Sequence, residues 1–330
     1  MKNFFIKSLN GMAFGLFSSL IIGLILKQLG LLFSIDFLTY VGSLSQFLMG
    51  PAIGVGIAFA LSAHPLIIAA SLITGAFGSG TIKFIENIPT ISIGEPIGAY
   101  FSTVFAVFIV NKIAGKTKFD IVLLPALTIT LGCLFGKFFS PFITEFIKNL
   151  GFIINKSTEL NPILMGITVS LIMGILLTLP TSSAAIGISL GLSGLAAGAA
   201  LTGCCCQMIG FAIMSYDDND IGTTLSIGFG TSMIQIPNII KNPLIWIPPT
   251  LSSIILGPIS TTIFKLETNS IASGMGTSGL VGQLSTFSLV GSDYIFPMLT
   301  LHFLLPAVIT YSIYKFMKKR TYIRKGDLKI

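Results

Sequence analysis

The sequence reads as an all-α polytopic membrane protein with about ten transmembrane helices and two re-entrant hairpins. Three observations carry that reading. The 330 residues are 53% hydrophobic and only 9% charged, with a mean hydropathy of +0.92. Apolar runs of bilayer length recur along the whole chain. Clusters of proline, glycine and hydroxyl residues interrupt those runs, yet they are too apolar for solvated loops.

A soluble domain carries about 25% charged residues. A chain with 9% cannot build a water-facing surface, which excludes a cytosolic enzyme, a nucleic-acid binder and a disordered protein. The net charge of +7 is not patched for nucleic acid. Seven of the nineteen basic residues fall in the last sixteen positions: Lys315, Lys318, Lys319, Arg320, Arg324, Lys325 and Lys329. That pattern suits a membrane-flanking tail.

Eleven apolar stretches are expected: 11–33, 37–62, 64–80, 98–114, 119–139, 161–180, 184–201, 203–215, 221–236, 244–264 and 294–316. Some are too short to cross alone and suit half-helices or hairpins. The first is too long for a cleaved signal and reads as a permanent helix. Basic residues flank both ends, so both termini are expected in the cytoplasm of a bacterial cell, with the chain in the plasma membrane. Ten crossings satisfy that condition. The longest polar stretches are 140–160 and 317–330. The chain therefore divides into a transmembrane domain, 1–316, and a basic cytoplasmic tail, 317–330. No Walker motif and no dinucleotide fingerprint occur. Any phosphorylating or nucleotide-binding module belongs to another chain.

Four interruptions hold the candidate solute ligands. The first runs from Pro89 to Tyr100 and contains Glu95 and Pro96. Pro96 suits the first turn of a new helix, and Glu95 would sit by its N-terminus. Glu95 is either a solvated surface acid or a carboxylate that accepts hydrogen bonds from a solute in a cavity. The second is Pro180-Thr181-Ser182-Ser183, either an interhelical turn with a capping hydroxyl or a polar lining at membrane depth. The helix expected after it carries Gly187, Gly191, Gly194 and Gly198, read as small residues that let helices approach. The third holds Gln235 and Asn238, three apart and able to share a helix face. Amides donate and accept, so they serve either interhelical bonding or a sugar. The fourth, 268–283, includes Thr277, Ser278 and Gln283. It suits a re-entrant hairpin or an extracytoplasmic loop. Gly191-Leu-Ser-Gly-Leu195 and Gly276-Thr-Ser-Gly-Leu280 form a weak internal echo.

Other polar residues attract blander readings. Cys204, Cys205 and Cys206 read as buried packing residues rather than metal ligands. His64 and His302 read as helix-boundary residues, Trp246 as an interface anchor, and Asp217 to Asp220 as a solvated turn. No metal, cofactor or catalytic residue is expected.

The run Gly-Thr-Ser-Met-Ile-Gln-Ile-Pro-Asn-Ile-Ile-Lys-Asn-Pro at 230–243, followed by Ile-Trp-Ile-Pro-Pro-Thr at 245–250, resembles the IIC-like membrane proteins of the bacterial sugar phosphotransferase system. The branch that includes the perfringolysin O regulatory protein is the more similar one. Gly-Met-Gly-Thr-Ser-Gly-Leu-Val-Gly-Gln at 274–283, Leu-Thr-Leu-Pro-Thr-Ser-Ser-Ala-Ala-Ile at 177–186 and the cysteine triplet extend the match. The resemblance implies a dimeric permease that moves a sugar or sugar-like solute, with phosphoryl transfer on a separate cytoplasmic IIB partner. The family's sugar-holding carboxylate would correspond to Glu95. The Gly-Ile-Thr-Glu motif of glucose-type members is absent. The alternatives are a membrane sensor that changes gene expression without transport, or a transporter independent of phosphorylation. The expected partners are therefore a small polar solute, lipid, a second copy and a IIB protein, but not nucleic acid.

Overall fold

The computed structural model describes residues 2–85, 88–291 and 294–330. They are mostly helical, as the hydropathy requires. Five helices are long and apolar enough to cross a membrane: Asn3–Leu31, Asp120–Phe139, Gly194–Ser215, Pro243–Thr262 and Ile295–Lys319. A sixth candidate is the pair Asp36–Phe47 and Met49–Ala60, bent by 57° at Leu48. Four shorter apolar helices stand beside them: Pro65–Ser79, Pro96–Val110, Pro162–Thr178 and Ile221–Gly230. The chain divides into two compact units, Met1–Phe146 and Ile147–Ile330.

Proline sets several starts. Pro65, Pro96 and Pro162 each open a helix, where the missing N–H costs nothing. The residue before Pro65 is His64, whose Nδ1 accepts from Leu66 N at 3.3 Å. Asn161 precedes Pro162 and accepts from Leu164 N at 3.0 Å.

In the first unit, glycines let helices touch backbone to backbone. A Cβ at Gly75 would run into the carbonyl of Gly50, and one at Gly54 into that of Ser71. A two-stranded antiparallel hairpin, Ile82–Ile85 with Ile88–Ile91, stands between Pro65–Ser79 and Pro96–Val110. Hydropathy does not foretell it, because its alternating residues are no less apolar than a short helix.

In the second unit, Pro162–Thr178, Gly194–Ser215 and Ile247–Thr262 pack along a seam of small residues. Ser170 Oγ donates to Ser253 O at 2.8 Å, and Ser253 Oγ donates to Gly203 O at 3.2 Å. A Cβ at Gly203 would collide with the Ser170 carbonyl. Gly194–Ser215 is buried on nearly every face, which suits its uniformly apolar and small composition.

Several expectations need correction. The break anticipated near residue 202 lies at 190–193 instead. Gly194–Ser215 runs unbroken through the cysteine triplet, since small buried residues there do not disfavour a helix. Of the four glycines read as packing residues, Gly187 and Gly198 do pack closely, but Gly191 and Gly194 have φ of +61° and +59° and make the turn itself. Most of the polar stretch 140–160 continues the helix Asp120–Thr158. Three π-helical turns, Phe17–Ile21, Ser226–Gly230 and Thr300–Leu304, carry no sequence signal.

Overpacking a close helix crossing is destabilising. We expect Gly203→Val to cost at least about 2 kcal/mol, read as a lowered midpoint in thermal unfolding of the purified protein in detergent.

Candidate functional site

The nine candidate residues divide between the units. Glu95 belongs to the first, and the other eight to the second.

Glu95 directly precedes the helix Pro96–Val110, as the proline requires, and is half-buried. Its backbone N–H donates to Ser79 O at 2.9 Å. Its side chain makes no capping bond to the first turn, although the dipole there favours its charge. Ser79 ties the corner together: its hydroxyl meets Thr81 Oγ1 at 2.7 Å, and a Cβ at Gly50 would strike it. Gly50 lies just beyond the 57° bend. Gln46, on the other side of that bend, is 4% exposed, and its Nε2 lacks a hydrogen-bond partner among the described residues. Sequence reasoning missed this buried amide; its placement in an apolar stretch was the available signal.

In the second unit, the two interrupted segments meet. Ser182 caps the short helix Ser183–Ser189, accepting from Ala185 N at 3.2 Å. Ser183 Oγ donates to Gly274 O at 2.7 Å, while Thr181 Oγ1 turns back to Leu176 O at 2.8 Å. The opposing segment has its own short helix, Ser270–Ser273, capped by Asn269. A Cβ at Gly274 would meet the Ser183 carbonyl, and one at Gly187 would meet Ser273. The internal echo has a conformational counterpart: Gly276 and Gly279 have φ of +55° and +52°, matching Gly191 and Gly194. Thr277 donates to Gly228 O, and Ser278 to Gly230 O at 2.7 Å. Both acceptors lie in the π-helical turn Ser226–Gly230, so the hairpin side chains satisfy carbonyls of an irregular helix.

Gln283 reaches Gly276 O at 3.3 Å, Cys205 Sγ at 3.4 Å and His302 Nδ1 at 3.3 Å. His302 is fully buried in the turn Thr300–Leu304, not at a boundary as expected. Gln283 Oε1 and His302 Nε2 have no hydrogen-bond partner among the described residues. A second buried hub is Gln207, a further amide missed from sequence. Its Oε1 accepts from Thr178 at 3.2 Å and from Trp246 Nε1 at 3.0 Å, and its Nε2 donates to Thr250 at 3.2 Å. The Trp246 indole thus bonds to the protein's own helix. Cys204, Cys205 and Cys206 are fully buried within that helix.

Gln235 and Asn238 do share a face, with Asn238 Nδ2 donating to Gln235 Oε1 at 2.8 Å. Gln235 Nε2 also donates to Leu328 O at 3.1 Å, and Asn238 Nδ2 to Lys329 O at 3.0 Å. They engage the basic tail rather than the 181–183 and 277–283 cluster. The Asp217–Asp220 turn is not merely solvated either. Asp217 pairs with Lys318 at 3.0 Å. The backbone N–H and hydroxyl of Thr223 hold the Asp220 carboxyl below the usual carboxylate range.

The family model for "Phosphotransferase system, EIIC" matches residues 6–330. The chain belongs to that family. It is a multi-pass membrane component of IIC type, with the apolar helices the family requires. No curated protein and no solved structure matches it.

Replacing Gln207 by Leu would remove the hydrogen-bond partner of Thr250 and Trp246, while Thr178 keeps Ser232 at 2.8 Å. We expect a loss of about 1–3 kcal/mol by thermal unfolding. Because Trp246 is the single tryptophan, a shift in intrinsic emission should accompany it.

Proposed function

We propose that this EIIC-family protein is a permease that moves a sugar or sugar-like solute by alternating access, with phosphoryl transfer carried by a separate IIB protein. The observation that supports it best is the meeting of two interrupted, glycine-turned segments in the second unit. Non-helical backbone of this kind persists in a membrane protein only where it is buried or lines a cavity. Short helices end there beside hydroxyl and amide groups, the type of ligand set that suits a polyhydroxy solute.

In this reading Glu95 accepts hydrogen bonds from solute hydroxyls. In the second unit Thr181, Ser182, Ser183, Thr277, Ser278 and Gln283 are the proposed solute ligands as the interrupted segments rearrange. Gln235 and Asn238 join them when the tail is displaced. The chain contributes binding and orientation, and the chemistry stays with the partner. The setting is the bacterial plasma membrane, with a homodimer, both termini cytoplasmic and the basic tail facing anionic lipid.

The similarity of 230–250 and 274–283 to the perfringolysin-regulator branch favours one second reading, a membrane sensor that binds solute without flux. Proteoliposome uptake separates the two, since accumulation of a bound sugar supports transport and binding without uptake supports sensing.

A thermal-shift screen over hexoses, pentoses and polyols should give at least one stabilising compound, with a shift that grows with concentration. For that compound we expect Glu95→Gln to weaken binding more than tenfold, about 1.4 kcal/mol, by titration of purified protein. Unchanged affinity would remove Glu95 from the site.

A further inference from the structure

The segment Tyr322–Ile330 has no regular secondary structure, yet it is held by polar side chains from three separate places. Asn219 Nδ2 and Gln235 Nε2 both donate to Leu328 O, at 2.8 and 3.1 Å. Asn238 Nδ2 donates to Lys329 O at 3.0 Å, and Asn242 Nδ2 to Tyr322 O at 3.1 Å. The segment returns donors of its own. Leu328 N reaches Asp218 Oδ2 at 3.3 Å, and Ile330 N reaches Asn219 Oδ1 at 2.8 Å. Asp327 Oδ2 accepts from Asn242 Nδ2 at 2.8 Å and from Arg324 N at 2.8 Å. Two apolar anchors complete the docking, for Ile323 and Leu328 are 1% and 0% exposed. Arg324, Lys325 and Lys329 all face outward.

This is the pattern of peptide recognition. Amides read main-chain groups, which gives affinity, while buried apolar side chains fix the register. These three basic side chains are exposed, so their positive charge is available to a membrane surface. The receptor side is built from weakly self-sufficient parts. Ser232–Gln235 is a four-residue 3-10 turn and Ile236–Lys241 a six-residue helix. Elements this short do not hold their hydrogen bonds without tertiary cover. The segment supplies part of that cover, beside Pro162–Thr178 and Gly194–Ser215, and Gln235 and Asn238 are 0% and 3% exposed.

We propose that Asp218–Asn219 and Gln235–Asn242 form a peptide-binding groove whose occupant is the chain's own Tyr322–Ile330 segment. The segment acts as a latch. Docked, it orders residues 231–242 and seals the amide pair; released, it frees Gln235 and Asn238 for another hydrogen-bonding partner. The inference shares Gln235 and Asn238 with the solute reading, but its test involves no solute, so the two fail separately.

The test uses the protein truncated after Arg320 and a fluorescein-labelled peptide of residues 321–330. Saturable one-to-one binding is expected by anisotropy. Asn219→Ala in the truncated protein should weaken it at least fivefold. A peptide of scrambled order should bind at least tenfold more weakly. Hydrogen exchange adds a readout in the intact protein. There, Asn219→Ala should speed exchange of the amides in 323–330 at least fivefold and leave those of 162–178 unchanged. Absence of saturable binding by the truncated protein, or equal binding of the scrambled peptide, overturns the groove. So does unchanged exchange of 323–330 in intact Asn219→Ala, a result that does not depend on the truncated protein folding.

Discussion

Every irregular stretch of backbone at membrane depth must find its hydrogen bonds inside the protein, because lipid supplies none. Leaving one carbonyl or amide unpaired in hydrocarbon costs several kcal/mol, against a net gain of about 1 kcal/mol for an ordinary bond. Satisfaction therefore outweighs propensity wherever proline or glycine ends a helix. Ser183 on Gly274, Thr277 on Gly228 and Ser278 on Gly230 each answer that demand with a hydroxyl from a different segment. The first of these bonds holds the two interrupted segments against each other, and the other two hold 268–283 to the turn Ser226–Gly230.

Close packing is the second half of the device. A hydroxyl reaches a foreign carbonyl only where backbones approach closely, and the glycines at 187, 203 and 274 permit that approach. The seam of Ser170, Ser253 and Gly203 repeats the principle between continuous helices. Association of helices in lipid has no hydrophobic drive, so small residues and interhelical hydrogen bonds carry it. Hydroxyl groups spent on structure in this way are also the groups a polyhydroxy solute would exchange with when the segments move.

Much of the fold was legible in the sequence. Hydropathy located the apolar segments, Pro96 marked a helix start, and the proline–glycine clusters at 180–183 and 268–283 marked real interruptions. The family was legible from the runs at 230–250 and 274–283. What failed to show was set by contacts distant in sequence. The cysteine triplet lies fully buried inside a continuous helix, as a packing role requires, but the helix break expected near 202 lies at 190–193, because local composition does not say where buried small residues pack. The π-helical turns shift a hydrogen-bond register by one residue and leave composition unchanged. Gln46 and Gln207 are single amides in apolar stretches, and their importance emerges only from what surrounds them. Gln235 and Asn238 were recognised as a pair, but the carbonyls they hold lie about ninety residues away. The carboxylate at 95 was placed correctly at a helix start; its role still rests on chemistry rather than on position.

The fold-back of the two interrupted segments is the claim on which the solute ligands proposed in the second unit stand, and disulfide trapping tests it most directly. A Cβ on residue 187 would lie 3.5 Å from the Cβ of Ser273, within the span a disulfide bridges. The double variant Gly187→Cys, Ser273→Cys is oxidised in native membranes, digested and examined by mass spectrometry. A peptide containing residue 187 linked to one containing residue 273 within the same chain is the expected product. If the two cysteines stay unlinked under oxidation while remaining reactive to a small thiol reagent, the segments do not meet and the chamber they would form does not exist.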